Sequence, residues 1–198
     1  MADILHNLSP EGMLRLINGQ IEKIDTVGTD EVARLRRDLQ DNPDDPSQWF
    51  DYALALNQAA MHRDILLEER AKLLAPNTDD ADAPVVTPTE KQPEIDPEGS
   101  MPLLKESLKA FDHVLEMEPE YYGVQTQRGI VYGNMHRYPE AVECFLQALK
   151  DDDEDFSAAY YLGLTYRDMG DEANAEKYLA LAQELNPEGE NENENRNE

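Results

Sequence analysis

The sequence has little cysteine, little positive charge and no long apolar run, and each shortage excludes a class of protein. A single cysteine among 198 residues excludes an intramolecular disulfide and fits a reducing compartment. Lys and Arg number 17 against 43 Asp and Glu, so the formal charge of -26 repels nucleic-acid phosphates and anionic lipid headgroups. No run of about 18 apolar residues occurs, and the first residues lack a basic stretch followed by an apolar one. We therefore expect a cytoplasmic protein that binds neither nucleic acid nor membrane.

The sequence also lacks the patterns of catalytic and cofactor sites. It contains no Gly-rich phosphate loop, no nucleophile elbow and no HExxH pair, and its four histidines are scattered. Cys144 lies on an apolar helical pattern, which favours a buried small residue over a reactive thiol. The acidic run 151–155 lacks the alternating ligands and central Gly of a calcium loop, so we read it as a solvated turn in which Asp155 caps the next helix. We expect no enzymatic activity, no cofactor and no metal site.

The strong acidity has two readings that composition does not separate. Excess carboxylates keep a protein soluble and suit a high-salt environment, and they also steer a basic partner towards the surface. Both readings stay open at this point.

Apolar residues recur at helical spacing, and sustained alternation of apolar and polar residues is absent, which predicts an all-α fold. Ser9-Pro10-Glu11 is typical of a helix start, and Gly28-Thr29 ends that helix and caps a second one. From Ser47 to Ala75 one long helix, or two in tandem, is predicted. Residues 76–101 are rich in proline and acid and contain no aromatic residue, which predicts a disordered insertion. The segment 188–198 has the composition of a disordered acidic tail.

The second half of the chain repeats with a period of 34 residues. Gly129, Tyr132, Ala141, Phe145 and Ala148 recur as Gly163, Tyr166, Ala175, Leu179 and Ala182. A small residue at the first position lets two antiparallel helices approach closely, and large residues fill the seam beside it. The sequence here resembles the tetratricopeptide repeat (TPR) family, whose motif reads W-x2-L-G-x2-Y, then A-x3-F, then P.

The resemblance implies a right-handed α-solenoid of about four helical hairpins. Residues 1–45 would form a degenerate first hairpin. Residues 46–119 would form a repeat split by the insertion, with Trp49-x2-Tyr52-Ala53-x2-Leu56 before it and Ser107-x3-Phe111 after it. Residues 120–187 would hold two well-matched repeats.

The resemblance also implies a protein-binding groove, because TPR arrays bind peptides or proteins on the inner face of the first helix of each pair. A stripe offset from the packing seam would supply apolar anchors and polar groups for a bound segment. Its residues are Phe50, Leu54, Asn57, Thr126, Gln127, Ile130, Asn134, Tyr160, Tyr161, Leu164, Arg167 and Asp168. The expected function is an adaptor or scaffold that docks a protein segment in this groove.

A structural, self-associating protein that acts through its end faces is the alternative function. Tyr178, Leu181 and Leu185 form a second apolar stripe on the last predicted helix, and nothing apolar follows it. The stripe predicts a homodimer or partner contact at this end, or else it folds back onto the preceding hairpin and leaves a monomer.

Overall fold

The computed structural model describes residues 9–75 and 99–186, and these form eight α-helices and no strand. The helices are α1 Pro10–Val27, α2 Asp30–Asp41, α3 Pro46–Leu74, α4 Ser100–Met117, α5 Val124–Asn134, α6 Tyr138–Asp151, α7 Phe156–Asp168 and α8 Glu172–Leu185. The predicted all-α class is confirmed. The predicted tail at 188–198 and most of the predicted insertion lie outside the described residues.

The chain divides into two compact units that meet between Ser107 and Leu108, within α4. The first unit contains α1 to α3 and the first turns of α4, and the second contains the rest of α4 with α5 to α8. The division falls inside the segment 46–119 that the sequence assigns to one split repeat.

The helix ends of the first unit follow the predicted capping signals. The Ser9 hydroxyl accepts a hydrogen bond from the Gly12 N–H at 3.2 Å, and the Thr29 hydroxyl accepts one from the Val32 N–H at 3.2 Å. Gly28 ends α1 with a φ of 79°, which a residue without Cβ adopts at little cost. The stretch after Asp45 is one helix of 29 residues rather than two in tandem.

Helix α3 pairs with the start of α4 although the insertion separates them in sequence. Ser107 donates a hydrogen bond to the Ala53 carbonyl at 2.7 Å, and Ser100 donates one to the Ala60 carbonyl at 3.3 Å. As the α4 residue number falls, its α3 partner number rises, so the two helices run antiparallel. Helix α3 and the first turns of α4 therefore form an antiparallel pair within the first unit.

The structure corrects the end of the predicted insertion. Helix α4 begins at Ser100, inside the predicted insertion 76–101, and Ser100 is buried, with its hydroxyl also bonded to the Asp64 carboxylate. Residues 99–101 therefore belong to the folded unit. The composition of this stretch resembles that of the insertion, but the contacts with α3 hold it in place.

An ion pair between a buried arginine of α3 and a partly exposed aspartate of α1 lies in the same unit. The Arg63 side chain is 0% exposed, and its Nε and Nη2 both donate to the Asp25 carboxylate, with Nη2 3.0 Å from Oδ2. A Cβ built on Gly99 would collide with the guanidinium, so a larger residue at this position would displace the Arg63 head group. Arg63 thus contacts both α1 and the residue that precedes α4.

In the second unit the repeat is built on two equivalent close contacts. A Cβ on Gly129 of α5 would lie 2.5 Å from Cε1 of Phe145 on α6. A Cβ on Gly163 of α7 would lie 2.7 Å from Cγ of Leu179 on α8. The second contact repeats the first one period of 34 residues later in the sequence. In each contact the large side chain occupies the space that the missing Cβ of the glycine leaves.

We predict that Arg63→Ala lowers the free energy of unfolding by about 3 kcal/mol, because it opens a cavity in place of a fully buried side chain and removes its charged hydrogen bonds to Asp25. Arg34→Ala is the matched control: Arg34 also binds two carboxylates, those of Glu31 and Asp38, but on the solvent-exposed face of α2. The control should unfold in urea like the wild type. Equal losses in the two variants would contradict a special role for the buried arginine.

We also predict that Gly129→Ala lowers the free energy of unfolding by about 1–3 kcal/mol, because the new methyl group overpacks the contact with Phe145. Gly133→Ala on the same helix meets no atom within 4 Å of its Cβ and should raise that free energy by up to about 1 kcal/mol through helix propensity. Urea unfolding followed by circular dichroism measures both. If the Gly129→Ala protein is as stable as the Gly133→Ala protein, the contact between α5 and α6 accommodates an added methyl group without strain.

Candidate functional site

Helix α7 presents two different faces to its surroundings. One face is buried and includes Ala158, Leu162 and Gly163, which pack in the core of the second unit. The adjacent face carries Tyr160 and Tyr161, which are 39% and 38% exposed. A helix with small buried residues on one side and exposed tyrosines beside them offers apolar area to another molecule.

Four aromatic rings form a continuous row along this face, which we call the aromatic row: Phe145, Phe156, Tyr160 and Tyr161. Phe156 and Tyr160 stack with centroids 5.9 Å apart, and Tyr160 meets Tyr161 edge-to-face at 5.4 Å. Tyr161 stacks on the buried Phe145 of α6 at 6.3 Å. These spacings are those of favourable aromatic pairs, so the rings hold one another in fixed orientations.

The other predicted groove residues of the second unit divide by burial. Leu164, Gln127 and Asn134 are half-buried, and Ile130 packs against the core, while Arg167 and Asp168 are exposed at the end of α7. Thr126 is buried, and its hydroxyl donates to the Asp155 carboxylate at 2.5 Å. Thr126 therefore links α5 to the start of α7 and has almost no surface to offer a partner.

The three predicted groove residues of α3 belong to the first unit. Phe50 and Leu54 are half-buried there, whereas Asn57 is buried. The helical pattern predicts that both Asn57 and Thr126 line the groove. In the fold, other residues cover both side chains.

In the predicted apolar stripe on α8, Tyr178 packs against the preceding helix α7. Tyr178 stacks on Tyr166 of α7 with centroids 5.7 Å apart and also packs against the core cluster around Phe145. Leu181 and Leu185 are half-buried. This arrangement favours the fold-back interpretation of the stripe, since its largest side chain already has an intramolecular partner.

The structure also shows a cavity that the helical pattern does not indicate, which we call the acidic cleft. It has a volume of about 620 Å³ and lies where the loop before α5 faces the end of α6 and the loop before α7. Its lining includes Glu120, Tyr121, Tyr122, Asp151, Asp152 and Asp155. The acidic run that the sequence indicates as a solvated turn thus forms one wall, and Asp155 caps α7 as predicted, accepting from the Ala158 N–H at 2.9 Å.

Tyr122 is the most exposed large side chain of the acidic cleft, at 73%. Its hydroxyl donates to Asp152 at 3.2 Å, and this hydrogen bond together with the charges of Asp152 and Asp155 raises the pKa of the phenol. The 34-residue period places Tyr121 and the acidic run in equivalent loops of successive hairpins, but it does not by itself bring the Tyr122 hydroxyl to Asp152.

The candidate reactive groups of the sequence are Cys144, the histidines and the acidic run 151–155. Cys144 is buried as predicted, and burial raises the pKa of its thiol, which disfavours the reactive thiolate. Within residues 9–75 and 99–186, no three His, Cys, Asp or Glu side chains are arranged to hold a metal ion. None of the helices in these ranges is long and apolar enough to cross a bilayer.

Comparison with known proteins agrees with the repeat seen in the second unit. The sequence model of the tetratricopeptide repeat matches residues 126–190. Superkiller complex protein 3 of Homo sapiens is 33% identical over 76 residues, which are 38% of this chain and 5% of that protein. This chain therefore spans only a small part of that relative.

Solved structures of MamA have a similar fold. MamA MSR-1 C2 superposes with a TM-score of 0.51 at 18% identity over 91% of this chain and 78% of that one. MamA AMB-1 C2221 gives a TM-score of 0.51 at 18% identity over 90% of this chain and 79% of that one. Identities this low support a shared helical-repeat fold and carry no functional detail.

We predict that Tyr178→Glu lowers the free energy of unfolding by about 2 kcal/mol, because it removes the stack on Tyr166 and places a charge against the core. Ala180→Glu adds the same charge at an exposed position of the same helix and should have little effect. Both are measured by urea unfolding at two protein concentrations. A loss that depends on concentration would instead show that Tyr178 lies in a subunit contact.

Proposed function

The chain carries tetratricopeptide repeats within residues 126–190, and on that premise we propose that it is a non-enzymatic interaction module that docks a segment of another protein on the aromatic row. The observation that carries the proposal is the row itself: Tyr160 and Tyr161 are exposed by more than a third while aromatic neighbours fix their orientation. Adaptor or scaffold action follows from reversible docking, without chemical change in the partner.

Fixed aromatic rings are suited to binding because they lose little conformational freedom when a partner covers them. Tyr has two side-chain torsions, and rings already stacked on Phe156 and Phe145 have fewer orientations to lose. Tyrosines of this kind are frequent among the few residues that dominate the energy of an interface. A partner ring or aliphatic group placed on Tyr160 would therefore bury area at low entropic cost.

Polar groups beside the row would orient a bound segment. Arg167 and Asp168 are exposed at the end of α7, and Gln127 and Asn134 are partly accessible on α5. Such groups satisfy the backbone N–H and C=O groups of a segment that becomes desolvated on binding. The named human relative is by its name part of a complex, which agrees with an interaction role for a similar repeat.

The ring contacts indicate which substitution tests this site best. Tyr161 stacks on the buried Phe145, so its removal lowers both stability and binding. The ring partners of Tyr160 are Phe156 and Tyr161, which are themselves accessible, so its loss should affect a partner with less effect on folding.

We predict that Tyr160→Ala weakens binding of a docked segment by about tenfold or more, the effect typical of a dominant interface residue. Random peptides displayed on phage are selected on the wild-type protein, and their dissociation constants for wild type and variants are then measured by isothermal titration calorimetry. Ile65→Ala is the matched control, since it removes a large apolar side chain that is even more exposed and belongs to the first unit. Selected peptides that bind wild type and Tyr160→Ala equally well would rule out the aromatic row as the docking site.

A further inference from the structure

We propose that the acidic cleft is a second binding site, which takes an arginine side chain from a basic segment of another protein. This site is separate from the aromatic row: its walls come from the loops before α5 and α7 and from the end of α6. Its occupant is defined by three features of the lining, namely charge, an exposed aromatic ring and the size of the cavity.

Charge determines the sign of the occupant. Glu120, Asp151 and Asp152 line the cleft together with Asp155, and the described lining contains no Lys or Arg. Helix α6 also ends here, at Asp151, so its carboxyl-terminal dipole adds partial negative charge. A cation that enters the cavity meets several carboxylates in a partly enclosed space, where attraction is stronger than on an open surface.

Two arginines of this protein each bind a tyrosine and a carboxylate at the same time, and they serve as internal examples of the proposed site. Arg36 donates to the Tyr52 hydroxyl at 2.9 Å and lies 3.4 Å from the Glu106 carboxylate, which Tyr52 also contacts at 2.5 Å. Arg137 lies over the Tyr132 ring, 4.9 Å from its centroid, and pairs with Glu140 at 2.5 Å. Both guanidinium groups combine ring contact with a charged hydrogen bond.

The Tyr122–Asp152 pair likewise joins a tyrosine to a carboxylate, but among the described residues no arginine lines the cleft beside it. The Tyr122 hydroxyl donates to Asp152 at 3.2 Å, as that of Tyr52 donates to Glu106, and the ring stands largely in solvent. The cavity of about 620 Å³ is large enough for a guanidinium and its neighbouring chain. We infer that an arginine from outside occupies the position that Arg36 takes in the first unit.

The segments of this chain outside the described ranges are poor candidates for the occupant. Across residues 1–8, 76–98 and 187–198 the Lys and Arg side chains are Lys91 and Arg196, and each has glutamates within three positions on both sides. A basic segment of a second protein fits the charge better. The strong acidity of the chain then has a role in steering that partner, which is one of the two readings that composition leaves open.

The test uses a fluorescein-labelled peptide of alternating glycine and arginine, titrated with the full chain by fluorescence anisotropy at about 50 mM salt, where charge attraction is weakly screened. We expect binding that a citrulline version loses and that a lysine version reproduces only weakly, because an ammonium lacks the planar donors of a guanidinium. Tyr122→Ala and Asp152→Asn should each weaken binding by about fivefold. Tyr122 is largely exposed and Asn keeps an acceptor oxygen, so both variants should fold, which circular dichroism checks.

Glu176→Gln, on the exposed part of α8, removes the same charge away from the cleft and should leave binding within about twofold of wild type. Equal weakening by Glu176→Gln and Asp152→Asn would overturn the proposal, since it would show attraction to the overall charge. Absence of binding, or unchanged binding by Tyr122→Ala, would also overturn it. Displacement of the peptide by calcium chloride, but not by sodium chloride of equal ionic strength, would assign the cleft to a metal ion instead.

The two proposed sites can fail independently. Tyr160→Ala should leave binding of the arginine peptide unchanged. If Tyr160→Ala abolishes that binding and Tyr122→Ala does not, the arginine binds on the aromatic row. In that case the second site is rejected while the proposed function stands.

Discussion

The close approach of paired helices at Gly129 and Gly163 is the constraint on which the second unit depends. Each glycine leaves the space of one Cβ, and Phe145 or Leu179 of the partner helix fills it. This contact sets how near α5 lies to α6 and α7 to α8, and the core of Ala141, Phe145 and Leu162 forms behind it. Because the same contact recurs one period later, both hairpins present equivalent surfaces. The aromatic row exists because Phe145, which fills the first seam, also supports Tyr161.

The first unit has a different constraint, because its helices α3 and α4 must pair although a long stretch of sequence separates them. Apolar packing there is reinforced by specific polar links, in which Ser107 and Ser100 bond carbonyl groups of α3 and Arg63 pairs with Asp25. Buried polar groups contribute little net stability, but they have few alternative partners and so fix one register. The register of α4 on α3 is thus set at the point where the chain re-enters the fold.

The two candidate sites of the second unit differ in chemistry and follow from different parts of the repeat. The aromatic row lies on a helix face and offers apolar area with fixed rings. The acidic cleft lies among loops and offers negative charge beside an exposed ring. A partner that carries an apolar group and a nearby arginine could be recognised by both, so each site would add to the selectivity of the other.

The sequence by itself determined the helical class, the caps at Ser9 and Thr29, the period of 34 residues and the buried state of Cys144, because these depend on local spacing and residue type. It also indicated Tyr160 and Tyr161, which share one helix face. Only the tertiary structure decided that Thr126 and Asn57 are covered, that Tyr178 packs back on Tyr166 and that α4 begins at Ser100. The acidic cleft likewise required the fold, since Tyr122 and Asp152 lie 30 residues apart and meet only when successive loops stack. Helical periodicity reports the direction of a side chain around its own helix, whereas burial and pairing depend on which other element covers that direction.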